Sequence, residues 1–210
     1  DSGLDSLVVA VDGASQETYE KYRQRGRLDQ VILNIKNILR VRKAKGLTTP
    51  RINMRFVVMR HNEGEVQEAR NLARKLGVDF FTLKTVDMHP DEGLELDKAY
   101  APKKNAYRRY EYDKDTFTRK ERPFVCMRPW KRVTLDVSGE VIACEYDYKN
   151  IHSFGNIDFK GTLNAWKSKV SKDFRNVFNQ GHNDFYLCRN CTYKNSITDD
   201  CTVERLTLTP

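Results

Sequence analysis

The sequence is poor in cysteine and has no long hydrophobic run. Its 210 residues include five cysteines, and none of them precedes Cys126. No apolar stretch approaches the roughly 18 to 20 residues that a membrane-spanning helix needs, and the first residues lack the pattern of a secretory signal peptide. An odd number of cysteines without a secretion signal argues against a disulfide framework. The sequence therefore predicts a cytoplasmic protein whose clustered cysteines bind a metal ion or an iron–sulfur cluster.

Acidic residues are fewer than basic ones, with 29 Asp and Glu against 37 Lys and Arg and a formal net charge of +8. An excess of this kind is compatible with acidic partners, including nucleic acid. The densest basic stretch, residues 103–122, also interleaves tyrosines, as surfaces that bind single-stranded nucleic acid do. Four acidic residues dilute the charge of this stretch, which favours a solvated linker over a nucleic-acid site.

The first 90 residues alternate apolar strands with amphipathic helices. Strands are predicted at residues 6–11, 51–60 and 78–86, because these runs are apolar and rich in β-branched and aromatic side chains. A long helix is expected to end at Gly46, and the following one at Gly77. Strands joined through helices of this length predict a parallel sheet of an α/β fold, here three strands of a larger sheet.

The second half has a different pattern. Residues 91–123 are polar, aromatic and charged, which predicts a connector between residues 1–90 and a second domain at 124–210. Within this second domain, the alternation around Ser138 and Gly139 predicts a β-hairpin. A single helix is expected to follow, with Trp166 and Phe174 on its apolar side, before an irregular tail that contains three of the cysteines.

The spacing of the cysteines can bring four thiols to one centre. Cys188 and Cys191 form a C-x-x-C pair within one turn, and the hairpin can return Cys144 to the neighbourhood of Cys126. Four thiolates suit tetrahedral zinc and a [4Fe–4S] cluster equally well. A buried cysteine can also be a small hydrophobic residue, the simpler interpretation of Cys144 taken alone. Cys201 is either a further thiol or a replacement for one of the four.

Both halves of the sequence resemble the radical S-adenosylmethionine (SAM) enzymes that carry a C-terminal SPASM or twitch domain. The stretch "SLVVAVDGASQETYEKYR" is similar to the fourth strand and following helix of that family's barrel, and "RFVVMRHNEGEVQEARNLARKLGVDFFTLK" to the next strand, helix and strand. In the second half, the order of the motifs is similar to that of the auxiliary-cluster domain. These motifs are Cys126, Gly139 followed by Cys144, Trp166 in an "AWKS" helix, and the C-x-x-C pair.

The resemblance implies a fold and a set of cofactors. The fold would be the last part of a partial (β/α)6 TIM-like barrel, followed by a small α+β domain with a β-hairpin and a cluster site. One auxiliary [4Fe–4S] cluster would be bound by Cys126, Cys144, Cys188 and Cys191, as in the twitch variant, with Cys201 as a reserve ligand. The Cys-x3-Cys-x2-Cys loop of the catalytic cluster is absent from the sequence. We therefore expect the chain to begin near the fourth barrel strand and to be inactive alone.

The resemblance also implies an activity for the intact protein. A second [4Fe–4S] cluster would reduce S-adenosylmethionine to a 5′-deoxyadenosyl radical, which abstracts hydrogen from a peptide or small-molecule substrate, and an electron donor protein would supply the electron. Arg23, Asp12 and Gly13 match positions on the S-adenosylmethionine side, while Ala10 replaces a serine of the family. The sequence identifies no other catalytic residue. The alternative is a non-enzymatic, zinc-stapled module that binds nucleic acid or a protein partner.

Overall fold

The chain folds as a mixed α/β protein with two compact units. The computed structural model describes residues 3–88, 93–157, 161–189, 191–197 and 201–209. Unit 1 comprises Asp1–Asp87, Leu94–Glu111 and Ile197–Pro210, and unit 2 comprises Met88–Gly93 and Tyr112–Ser196. No helix in these described ranges is both long enough and apolar enough to cross a membrane.

Unit 1 contains a four-stranded sheet with the strand order β1-β2-β3-β7. The first three strands are parallel, as predicted, and β7 runs antiparallel to β3. Alternate residues of β2 are fully buried because both the helices and the neighbouring strands cover them. The strands are β1 (Ser6–Ala10), β2 (Arg51–Val58), β3 (Phe80–Thr85) and β7 (Thr202–Thr207).

Three helices pack against this sheet and confirm the predicted alternation. Ser15 caps α1 by accepting a hydrogen bond from the backbone N–H of Thr18 at 3.2 Å. Gly77 ends α3 in the left-handed conformation, with φ of 72°. Fully buried side chains, such as Ile35 and Phe56, form the core between the layers. The helices are α1 (Gln16–Tyr22), α2 (Leu28–Ala44) and α3 (Val66–Leu76).

Replacing Gly77 with alanine is expected to destabilise unit 1 by about 1 kcal/mol, because a side chain in the left-handed region meets the following carbonyl. Gly64→Ala is the matched control, since Gly64 has no positive φ and a Cβ there would meet no atom within 4 Å. Urea denaturation monitored by circular dichroism measures both variants. Equal stabilities of the two variants would contradict the role of Gly77 as the helix cap.

The predicted connector contains regular structure that packs with unit 1. It includes α4 (Gly93–Tyr100) and a 3₁₀ turn at Asn105–Tyr107. Tyr110 is fully buried, and its hydroxyl donates a hydrogen bond to Asp87 Oδ1 at 2.6 Å. The division of the chain therefore differs from the boundaries predicted at 91–123, because buried apolar and aromatic side chains anchor part of this stretch.

The C-terminal strand belongs to unit 1, whereas the sequence analysis placed it in the second domain at 124–210. Strand β7 pairs with β3 over Phe80 to Lys84, and Leu206 and Leu208 pack against the core of unit 1. The sequence analysis did not predict this strand. Pairing with β3 gives its backbone N–H and C=O groups partners that an irregular tail would lack.

Unit 2 is built around a small antiparallel sheet with the order β4-β5-β6. The predicted hairpin is confirmed as β4 and β5, and β6 adds a third strand that was not predicted. The predicted single helix is interrupted, because the Ser168 side chain accepts a hydrogen bond from Ser171 N at 3.1 Å and starts a new helix. The elements are β4 (Thr134–Leu135), β5 (Glu140–Ile142), β6 (Ser153–Asn156), α5 (Arg128–Lys131), α6 (Thr162–Trp166), α7 (Lys169–Gln180), α8 (Tyr186–Arg189) and α9 (Thr192–Asn195).

Candidate metal centre

The hairpin of unit 2 positions Cys144. A carboxylate, Asp136, accepts hydrogen bonds from the backbone N–H groups of Ser138 at 2.8 Å and Glu140 at 2.9 Å, and from the Ser138 hydroxyl at 2.7 Å. These hydrogen bonds, led by the one from the Ser138 hydroxyl, lower the pKa of Asp136 to about 2. Asp136 therefore stays ionised at neutral pH and fixes the turn from which β5 leads to Cys144.

A second carboxylate connects the loop after Cys144 to the helix that carries Cys188. Asp147 is fully buried and accepts hydrogen bonds from the backbone N–H groups of Ile151 at 3.1 Å and His152 at 2.7 Å. The hydroxyl of Tyr186, in α8, donates to the same carboxylate at 3.3 Å. Asp147 thus ties together two of the segments that provide thiols.

The remaining thiols come from short helical segments. Cys126 is half-buried and lies just before α5. Cys188 is buried within α8, and Cys191 is the residue immediately before α9. The backbone N–H of Cys191 donates to the carbonyl of Cys188 at 3.4 Å, so one tight turn carries both cysteines. The C-x-x-C spacing therefore has the local geometry that the sequence predicted.

The structure brings Cys126, Cys144, Cys188 and Cys191 to the wall of one cavity in unit 2. Apolar side chains form much of the remaining lining, which includes Phe124, Phe174, Phe178 and Leu187. Among the side chains of the described ranges, no three His, Cys, Asp or Glu residues come close enough to form a site for a single metal ion. The four cysteines therefore share one cavity within the part of unit 2 that the structure describes.

Burial dominates the electrostatics of these thiols. It raises the pKa of Cys126, of Cys144 to about 12, and of Cys188, and the neighbouring thiols raise all three pKa values further. Cys126, Cys144 and Cys188 therefore keep their protons at neutral pH when no cation is present. A metal centre binds thiolates, so loading it releases these protons.

The donor set fits an iron–sulfur cluster. Four cysteines from two separated pairs are the usual ligands of a [4Fe–4S] cluster, and the apolar lining would shield such a cluster from solvent. A cluster also accommodates thiolates that lie farther apart than those around one zinc ion, because each thiolate binds a different iron atom. The residues present therefore fit the cofactor that the sequence predicted.

Cys201 lies in unit 1 and has different neighbours. It is half-buried at the start of β7, where it contacts the guanidinium of Arg109. Its Sγ atom lies 4.0 Å from Asp87 Oδ2, and the Nε of Arg109 lies 3.6 Å from Asp87 Oδ1. The four cavity cysteines form their arrangement within unit 2 alone, and the reserve role of Cys201 stays a prediction.

The residues predicted on the S-adenosylmethionine side form a structural network in unit 1. Arg23 Nε donates to Asp12 Oδ2 at 2.7 Å, and Val57 N donates to Asp12 Oδ1 at 2.7 Å. Burial raises the pKa of Asp12, although both of these contacts oppose that shift. A Cβ at Gly13 would lie 2.3 Å from the backbone nitrogen of Tyr19, so glycine is required for the close approach of α1. Their role toward the cofactor stays a prediction.

One arginine of the basic stretch at residues 103–122 is buried and not on the surface. Arg109, within the basic stretch that could contact nucleic acid, is 3% exposed and packs inside unit 1. The neighbouring Arg108 donates its Nε to the carbonyl of Pro102 at 2.7 Å. A guanidinium buried in this way cannot reach a phosphate backbone, so Arg109 does not support nucleic-acid binding.

The sequence analysis missed two carboxylates that hold turns of unit 2 and one lysine beside the thiols. Asp136 and Asp147 could have been found as turn formers, since aspartate often accepts hydrogen bonds from the backbone of its own turn. The buried Lys194 gives no signal in the sequence, because lysine is normally exposed. Of the histidines, His152 and His182 pack against aromatic rings beside the cavity. His89 lies outside the described residues.

The family comparison covers the same part of the chain as the cavity. Residues 126–192 match the sequence model of SPASM, an iron–sulfur cluster-binding domain. This match includes all four cavity cysteines and ends before Cys201.

The chain is also similar to curated proteins of Saccharolobus islandicus named "Probable GTP 3′,8-cyclase". Those of strain M.14.25 / Kamchatka #1 and strain M.16.27 are each 27% identical over 196 residues, covering 83% of this chain. This chain spans 58% of the length of these relatives. The predicted resemblance of the second half to a SPASM iron–sulfur cluster-binding domain is therefore confirmed over residues 126–192.

Proposed function

We propose that this chain is the C-terminal part of a radical S-adenosylmethionine enzyme and binds one auxiliary [4Fe–4S] cluster. Cys126, Cys144, Cys188 and Cys191 would be the four ligands. The observation that carries the proposal is that these thiols line one cavity inside the segment that matches the SPASM domain. The similarity to proteins named as cyclases, together with the coverage of 58% of their length, supports a larger enzyme.

The number of thiols favours electron exchange over substrate anchoring. A [4Fe–4S] cluster has four iron atoms, and four cysteine ligands satisfy all of them. The chain would therefore offer no open iron atom at this centre, and a substrate would have to be held by protein side chains. Phe174, Phe178 and Leu187 also line the cavity, and such apolar side chains would limit the contact of a bound cluster with water.

The first half would contribute to the barrel of the intact enzyme. Strands β1, β2 and β3 are parallel and connected through helices, as the last strands of a partial barrel would be. Arg23 would meet the carboxylate of S-adenosylmethionine through the part of its side chain that is exposed, 39% in this structure. Asp12 would orient that guanidinium from its buried side.

The cofactors of the intact enzyme would supply reductive cleavage of S-adenosylmethionine and hydrogen abstraction from a peptide or small-molecule substrate. An electron donor protein would serve as a partner, and the enzyme would work in the cytoplasm. The chain itself would hold the auxiliary cluster and position it.

Anaerobic purification tests the proposal. The 210-residue chain is expected to be brown, with about four iron atoms per chain. It is also expected to form no 5′-deoxyadenosine from S-adenosylmethionine, since its sequence has no Cys-x3-Cys-x2-Cys loop. Elemental analysis and chromatography of the reaction products measure these two results. A colourless protein that contains zinc after anaerobic iron–sulfur reconstitution would contradict the proposal.

A further inference from the structure

A buried lysine faces the four cysteines. Lys194 lies in α9, three residues after Cys191, and is 5% exposed. Its side chain forms part of the wall of the cavity that the four thiols share. Lysine is almost never this buried unless its charge is paired. We therefore expect negative charge near the ammonium group of Lys194.

One carboxylate partner of Lys194 lies on the solvent side. The Nζ atom donates to Glu121 Oε1 at 2.7 Å, and the side chain of Glu121 is 71% exposed. Hydrogen bonding to Lys194 lowers the pKa of Glu121, so this carboxylate is ionised at neutral pH. Water screens an exposed carboxylate, whereas the buried ammonium acts across an apolar cavity where charges interact more strongly. Glu121 therefore offsets only part of the effect of Lys194 on the thiols.

The other cation beside the cavity is neutralised close to the thiols. Arg128 contacts Glu145, the residue that follows Cys144, and lies over the ring of Tyr193 at 3.6 Å. The Arg128–Glu145 pair contributes little net charge. His182 also lines the cavity but stacks on Phe178. The charge of Lys194 acts on Cys188, whereas that of Arg128 acts on Cys126 and Cys144 beside its carboxylate partner.

The charge of Lys194 affects the pKa of one of the thiols. Burial and the neighbouring thiols raise the pKa of Cys188, and the charge of Lys194 acts in the opposite direction. The same attraction would act on any anionic group that the four sulfur atoms hold. Four thiolates make a [4Fe–4S] centre negative overall, and reduction adds one more negative charge.

We propose that Lys194 is the charge-compensating residue of this metal centre and makes its reduced form easier to reach. Net charge around a cluster is one of the quantities that set its reduction potential. The inference rests on the proposed function, because it requires that a cluster is bound. Lys194 is a positioning and tuning residue and not a ligand.

The test compares the reduction potentials of cluster-loaded variants of the full chain. Lys194→Met removes the charge and keeps the length of the side chain. We expect its reduction to become about tenfold less favourable, which is a shift of ~59 mV to a more negative potential for a one-electron couple. Lys194→Arg should stay close to the wild type. Lys172→Met is the matched control, because Lys172 is an exposed lysine of the same unit, and should leave the potential unchanged.

Redox titration followed by electron paramagnetic resonance measures these potentials, and equal values for Lys194→Met and Lys172→Met would overturn the inference. If Lys194→Met fails to load iron, Glu121→Gln tests the inference instead, because it removes the carboxylate that pairs with the Lys194 ammonium. Its potential should become more positive, and an unchanged value would overturn the inference. A wild-type protein without any cluster would instead refute the proposed function, so the two failures are distinguishable.

Discussion

Replacing both Cys188 and Cys191 with alanine is expected to lower the iron content of the anaerobically prepared protein from about four atoms per chain to near zero. These residues provide half of the proposed ligands, and a single turn carries both. Two thiols from Cys126 and Cys144 cannot complete the coordination of four iron atoms. Iron and acid-labile sulfide assays, together with the visible absorption spectrum, measure the loss.

Cys201→Ala is the matched control for this double variant. Cys201 belongs to unit 1, and the SPASM match ends before it. The control should keep the iron content and colour of the wild type. Full iron content in the double variant, or loss of iron in Cys201→Ala, would contradict the assignment of the four ligands.

Replacing Asp79 with alanine is expected to destabilise unit 1 by about 3 to 5 kcal/mol at neutral pH, the usual cost of breaking a buried ion pair. Asp79 is 5% exposed and accepts hydrogen bonds from Arg42 Nη1 at 2.6 Å and from Ile52 N at 2.7 Å. Thr209 Oγ1 donates to the second oxygen at 3.1 Å. The variant removes the carboxylate that accepts hydrogen bonds from the Arg42 guanidinium and from the backbone N–H of Ile52 in β2.

The effect of Asp79 should depend on pH in a defined direction. Burial raises the pKa of Asp79, but the hydrogen bonds from Arg42, Ile52 and Thr209 together hold it below its ordinary value of 3.8. A lowered folded-state pKa stabilises the fold above pH 3.8, and this stabilisation is lost as the pH falls through the lower value. Urea denaturation should therefore show a stability difference between wild type and Asp79→Ala that narrows below pH 3.8.

An exposed ion pair provides the control for this prediction. Asp29 pairs with Arg27 at 2.8 Å, and both side chains are largely exposed. Asp29→Ala should leave the stability almost unchanged, because solvent screens such pairs. Similar losses for Asp29→Ala and Asp79→Ala would show that the buried pair has no special role.

The sequence predicted those strands and helix ends that are determined by residues close to them in the chain. The apolar strands of residues 1–90 and the Gly77 helix end follow from neighbouring residues, and each lies where it was predicted. Strand β7 was missed because its partner, β3, lies more than 100 residues earlier. The break in the second-half helix was missed because Ser168 is a cap in one context and an ordinary helix residue in another.

In the candidate site, too, local features could be predicted and features that depend on tertiary packing could not. Spacing predicted that the four cysteines could share one centre, because the C-x-x-C pair and the hairpin are local features that can each present two thiols. The buried ammonium of Lys194 and the carboxylate of Asp147 could not be predicted, since their burial depends on tertiary packing. The placement of Cys201 likewise depends on β7, whose pairing no local pattern revealed.

The central claim is that Cys126, Cys144, Cys188 and Cys191 bind one iron–sulfur centre, and anomalous diffraction at the iron absorption edge tests it most directly. Crystals of the anaerobically prepared protein should show one cluster of iron peaks bonded to these four sulfur atoms. Iron bonded to Cys201 in place of one of the four, or a single zinc ion at the cavity, would contradict the account.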